Sequence, residues 1–326
     1  MRCAIIAFVL LSLRAETGAG PDQAIQEAEQ LRQHGQYGEA RTVLRDALTK
    51  LPRSRQADAM RGAILNSLGS VTQDTGSFAV AEHYYLQSIR ILEKTFGKEQ
   101  LQLAAPLDNL GSLYLACGRV AESERFRRRS LEIRKRSLGP DHPAVARVLN
   151  NLAVVAWAGG RRPEAGALAQ QAQEIYQRNG KLDAPELAPI HNMLGLVSFA
   201  NGDYDGARVH LQRALAMYEK TAGPENPSLI KPLANLGITD MVSGRPAEGE
   251  AALRRALELA ERILGPAHRT VADVLTNYAA ALRRIKRKGE AKKLEKRAHT
   301  ILERHAGDTV LRNTVDAGQL GIKQDP

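Results

Sequence analysis

Asn109-Leu110-Gly111 returns forty-two positions later as Asn151-Leu152-Ala153, and then as Met193-Leu194-Gly195, Asn235-Leu236-Gly237 and Asn277-Tyr278-Ala279. One unit earlier stands Ser67-Leu68-Gly69, so six copies follow one another without an insertion. A fixed period of this length marks a stacked repeat array, because each unit leaves an apolar face that only its neighbour covers. The pattern predicts one continuous solenoid, although 326 residues would otherwise suggest two or three domains.

Each unit reads as helix A, a turn, helix B and a longer loop. Nine residues after the asparagine column comes a turn glycine: Gly76, Gly118, Gly160, Gly202 and Gly244. Helix B then carries two columns of small residues. The first is Ala81, Ser123, Ala165, Ala207, Gly249 and Ala291; seven positions on come Ser88, Ser130, Ala172, Ala214, Ala256 and Ala298. That separation places both on one helix face, where small side chains let partners approach closely. The loop is fullest in Leu138-Gly139-Pro140-Asp141-His142-Pro143, with echoes in Gly223-Pro224-Glu225-Asn226-Pro227 and Leu264-Gly265-Pro266-Ala267-His268. Glycine ends helix B, the second proline suits the first turn of the next helix A, and Asn226 and His142 hold the N-cap place. The first unit is shifted by one residue, with Ala24 to His34 as helix A and Arg41 to Leu51 as helix B. The expected array is about seven helix pairs over residues 21–310, followed by a cap and tail over 311–326. Thr309 to Asp316 is the expected capping helix, and Gly318 to Pro326 reads as disordered.

The hydrophobic fraction is 43% with only 4% aromatic, so small residues fill the core; the net charge is +10, which favours anionic partners. Arg2, the apolar run Cys3 to Leu13 and the small residues through Gly20 match a secretory signal over residues 1–20. Thr17 and Ala19 occupy positions −3 and −1 for a cut after Ala19. The run is too short to span a bilayer, which takes roughly 20 apolar residues. The expected location is periplasmic or secreted; the alternative is a cytoplasmic protein with an apolar N-terminal helix. Removal of the leader would leave Cys117 as the lone cysteine, with no internal disulfide.

The columns resemble the tetratricopeptide repeat. Its Leu-Gly in helix A and paired small residues in helix B fall on Leu110-Gly111 with Ser123 and Ser130, and on Leu194-Gly195 with Ala207 and Ala214. The 42-residue form is similar to kinesin light chain and nephrocystin-type repeats, as in Leu149-Asn150-Asn151-Leu152-Ala153. The resemblance implies an all-α, right-handed superhelical solenoid of helix-turn-helix repeats. The coiled coil that precedes kinesin light chain repeats is missing, so no motor role is implied. Two departures stand out: the loop Asn179-Gly180-Lys181-Leu182-Asp183-Ala184-Pro185, and Lys286 in the place of the last turn glycine.

No phosphate loop, nucleophile elbow or metal-ligand spacing is present. The expectation is therefore no enzyme, no cofactor and no metal. In the implied fold, helix A lines the concave face. Asn109, Asn151, Asn235 and Asn277 would form a broken ladder there, each carboxamide able to donate to and accept from an extended peptide. Arg147 and Lys231, four residues earlier, add positive charge, and Leu115, Trp157, Phe199 and Met241 form a column of larger apolar groups. The competing reading has the asparagines bonding neighbouring repeats and the apolar column packing between A helices. Residues 269–310 carry eleven Lys or Arg against five Asp or Glu, and Arg125-Phe126-Arg127-Arg128-Arg129 and Arg134-Lys135-Arg136 are smaller clusters. Without interleaved aromatics for base stacking these point away from nucleic acid and toward a solvated end cap.

The sequence thus reads as a non-catalytic scaffold binding a peptide or protein segment in its groove. The alternatives are a self-assembling scaffold that docks with another copy, or a binder of anionic surfaces through the basic last repeat. N-terminal sequencing of the native protein is expected to begin near Gly20; an intact Met1 would exclude cleavage.

Overall fold

The computed structural model describes residues 20–312. The expected leader, apart from Gly20, and the tail beyond 312 lie outside the described residues, as does Val315 of the expected cap. The described residues are helical with no strand. The chain divides into two compact units after Ser137.

The first unit holds three helix pairs: α1 (Pro21–Gln33) with α2 (Tyr37–Lys50), α3 (Arg55–Asp74) with α4 (Phe78–Phe96), and α5 (Ala104–Ala116) with α6 (Val120–Leu138), which ends at the boundary. The second holds four: α7 (Pro143–Ala158) with α8 (Arg162–Arg178), α9 (Leu187–Ala200) with α10 (Tyr204–Ala222), α11 (Ile230–Val242) with α12 (Pro246–Leu264), and α13 (Arg269–Arg284) with α14 (Lys288–Arg312). Odd-numbered helices are the A helices and even-numbered the B helices. The first B helix starts at Tyr37 rather than Arg41, because Gly38 and Glu39 already follow the turn and nothing there opposes helix. Within each unit A packs on its own B, B on the next A, and successive A helices lie side by side.

The A–B contact rests on complementary size. A Cβ added to Gly237 would lie 2.5 Å from Leu253 Cγ, and one on Gly195 would lie 2.7 Å from Leu211 Cγ. Gly69 faces Tyr85 and Gly111 faces Arg127 at similarly forbidden distances. Each large side chain therefore fills the space its glycine leaves. Where helix A carries Ala153 instead, the B-helix position is Ala169, and both are fully buried. The two small columns are buried as their spacing implies, and Ser88, Ser123 and Ser130 satisfy their hydroxyls on the carbonyls of Gly62, Gly111 and Ala104 at 2.7–2.8 Å.

The turns follow one plan. The turn glycine takes a left-handed conformation, as at Gly118 (φ 74°), and the next N–H closes on the helix end, Arg119 N to Tyr114 O at 2.8 Å. The last turn keeps this geometry without glycine: Lys286 sits at φ 66°, and Arg287 N donates to Leu282 O at 2.9 Å. The helix ends on either side hold it there. His142, His268 and Asn226 cap the following segments, accepting from Ala144, Thr270 and Ser228 N–H at 2.9–3.1 Å.

Gly237→Ala is expected to cost about 1–3 kcal/mol through overpacking. The added methyl meets both Leu253 Cγ and the Gly249 carbonyl, at 2.8 Å, so a Leu253→Ala background is expected to relieve part of the cost; equal costs in both backgrounds, by urea melts of a double-mutant cycle, would exclude the complementary-size account.

Candidate functional site

The asparagine column does not stand free in solvent. Asn109 Nδ2 donates to Asn66 Oδ1 at 3.0 Å, and Asn235 Nδ2 donates to Asn192 Oδ1 at 2.9 Å. Both pairs are half-buried and link one A helix to the A helix before it. At these two positions the bond between neighbouring repeats, the competing reading of the column, is present: a carboxamide half covered by the adjacent helix takes the polar partner within reach. The partner column, Asn66 and Asn192, repeats with the same period one position earlier. It escaped the sequence reading because the two asparagine columns look like one motif until the helices are set side by side. Asn151 and Asn277 are half-buried as well.

Arg147 and Lys231 are exposed on the A-helix surface, one turn before Asn151 and Asn235. The apolar column splits. Met241 is buried, 1% exposed, against Gly249 of its own helix pair, so it belongs to the core. Leu115, Trp157 and Phe199 stay half-buried. Both aromatic rings sit under guanidinium groups: Arg162 Cζ lies 5.7 Å from the Trp157 centroid and Arg284 Cζ lies 5.8 Å from that of Phe199. Tyr204 packs on Phe199 at 5.5 Å. Arg284 belongs to α13 and Phe199 to α9, so a side chain reaches across the intervening A helix.

Several cations of the basic clusters are paired within the array. Arg129 pairs with Glu93 at 2.6 Å and Arg136 with Glu99 at 2.7 Å. Arg128 pairs with Glu124, and Arg297 with Glu261. Arg127 is 4% exposed, in the slot held by Tyr85, Leu211 and Leu253 in other repeats, with Asp108 3.7 Å away and Ser112 Oγ at 2.7 Å. Burial lowers its pKa, and Asp108 opposes that shift. In the last repeat Arg283 pairs with Glu295, and Arg287 with Glu250 and Glu290.

One cluster had no forecast. His191 and His210 meet with Nδ1 atoms 3.0 Å apart. His191 occupies a core slot that is leucine in other repeats, at Leu107, Leu149, Leu233 and Leu275. Reading that column would have flagged it. Burial first, then His210 and Arg213, push the His191 pKa down to about 4. His210 is lowered too, by burial and Arg213, with Asp203 opposing. Among the described residues no group of three His, Cys, Asp or Glu is placed to hold a metal, and no helix is long and apolar enough to cross a membrane.

Tetratricopeptide repeat models match residues 102–178, 186–241 and 233–304, and a second model of the same repeat matches 61–101. The chain belongs to the tetratricopeptide repeat family. No curated protein sequence matches significantly. BtubC (BKLC) from P. vanneervenii is 22% identical over 75% of this chain and 90% of its own, with a TM-score of 0.54. The apo form of RapI is 12% identical over 87% and 98%, TM-score 0.67. The Rap conjugation gene regulator of plasmid pLS20, solved with the Phr* peptide, is 13% identical over 80% and 79%, TM-score 0.59. These likenesses establish the all-α tetratricopeptide solenoid fold.

His191 is expected to make stability pH-dependent. Its folded pKa lies below the unfolded value near 6.5, so the unfolded chain binds the extra proton. Stability is full above about pH 6.5, falls as the pH drops toward about 4, and levels off below that, a loss on the order of 3 kcal/mol. His191→Leu, which restores the residue of other repeats, should flatten this slope in melts between pH 7 and pH 4; an unchanged slope would place the acid sensitivity elsewhere.

Proposed function

We propose that the chain is a non-catalytic scaffold that holds a peptide or protein segment on its A-helix surface. The observation that carries this reading is the set of pinned carboxamides beside exposed cations. In Asn109 and Asn235 one N–H is spent on the neighbouring helix, which fixes the amide plane while the oxygen still accepts. Donors and acceptors fixed before binding lose less freedom when a ligand arrives. In the second unit Lys231 sits one turn before Asn235 and Arg147 one turn before Asn151, and half-buried Trp157 and Phe199 add aromatic area at the helix ends. The fold supports the same reading, since tetratricopeptide arrays are generally interaction modules, and the Rap regulator of this fold was solved with a peptide. The segment that fits this surface is extended, with an acidic residue for Arg147 or Lys231.

Peptides selected on the protein from a displayed random library are expected to be enriched in Asp or Glu and to bind more weakly as salt rises. Arg147→Ser with Lys231→Ser should weaken them about tenfold, or about 1.4 kcal/mol, without lowering the melting temperature. Selected peptides that bind this variant as well as the parent would refute the A-helix surface as the site.

A further inference from the structure

Successive B helices are tied by a recurring bridge. An arginine reaches an acid thirty-six residues earlier: Arg129 to Glu93 at 2.6 Å, Arg255 to Glu219 at 2.7 Å, and Arg297 to Glu261. A second bridge spans thirty-seven residues: Arg136 to Glu99, Arg178 to Asp141 at 2.9 Å, and Arg262 to Glu225. Between α8 and α10 both fail. The first would join Arg213 to position 177, which is Gln177 rather than glutamate. The second would join Lys220 to Asp183; these two form no ion pair among the described residues, and Arg213 has no acidic partner there either. A cleft of about 490 Å³ opens at this place, lined by all four of these residues. Its size falls within the roughly 300–1,000 Å³ usual for small-ligand sites.

The cleft is lined by the replacements that distinguish this repeat. The irregular loop supplies Leu182, which is 62% exposed, and α10 supplies Met217. His191, polar where other repeats place leucine, also lines the cleft. Arg213 stands close enough to His191 and His210 to disfavour their protonation. A guanidinium without its carboxylate, a neutral carboxamide in the acid's place and an apolar lip coincide in one hollow.

We infer that this cleft binds a small organic carboxylate with a short apolar tail, whose carboxylate gives Arg213 the ion pair that Glu93, Glu219 and Glu261 give the arginines of other repeats. Arg213 pairs with it, Gln177 donates to it, and the tail lies along Leu182 and Met217. The site lies between the B helices α8 and α10, with His191 of α9 and the irregular loop beside it, and uses none of the asparagines or cations of the A-helix surface proposed above.

The test is calorimetric titration of the full chain with linear carboxylates from acetate to decanoate, each matched by its primary amide. Saturable one-to-one binding is expected for the longer carboxylates, with the amides weaker by at least about tenfold. Arg213→Gln should abolish the preference for the acid over the amide. Gln177→Glu supplies the missing carboxylate from within, so it should also lose binding while keeping or raising the melting temperature. The exposed positions of both residues leave the fold intact. The inference is overturned if no carboxylate saturates below about 10 mM, if amides bind as well as acids, or if Gln177→Glu binds like the parent.

Discussion

The close approach of helix A to helix B inside each repeat is the contact on which the rest depends. It needs a position with no side chain on one helix and a filled slot on the other, as Gly237 and Leu253 provide. Interiors this dense tolerate neither a gap nor an extra methylene, so the two positions are coupled. The small columns of helix B extend the same logic to the neighbouring repeat. With the pair locked, within each unit a B helix offers its apolar face to the next A helix at a constant offset. A strict period in sequence is the consequence.

Charge then reinforces the register that packing creates. The bridges thirty-six and thirty-seven residues apart join B helices at a fixed step. Each exposed pair contributes little alone, about 0–1 kcal/mol. Their value as a structural signal lies in the repetition, which makes a missing partner visible. The repeat of α9 and α10 departs in its loop, its core histidine and both bridges at once. That of α5 and α6 departs differently, seating Arg127 where other repeats bury Tyr85, Leu211 or Leu253, with Asp108 in the column of Asn66 and Asn192 beside it. In the basic segments, Arg129, Arg136 and Arg297 are halves of these bridges.

On the A-helix surface one residue would serve both structure and the proposed recognition. Asn109 and Asn235 tie consecutive A helices, and the tie sets the direction in which the remaining acceptor faces. The two readings of the asparagine column, ladder and glue, are therefore compatible. Met241 shows the opposite case. Its column suggested a surface strip, but Gly249 leaves a hollow beside it, and the side chain fills the core instead.

The sequence by itself determined the repeat length, the helix pairs, the turn positions and the N-caps, because these depend on local backbone chemistry and on a period that every unit restates. Even the missing turn glycine was absorbed: Lys286 adopts the left-handed conformation because flanking hydrogen bonds impose it. Only the tertiary structure decided which polar side chains meet. Asn109 and Asn66 lie forty-three residues apart, Arg129 and Glu93 thirty-six, and His191 and His210 nineteen. Such pairings follow from the angle and offset between stacked helices, which no single helix encodes. The cleft beside Arg213 is legible for the same reason only after stacking, since an absent partner is visible only once the place it would occupy is known.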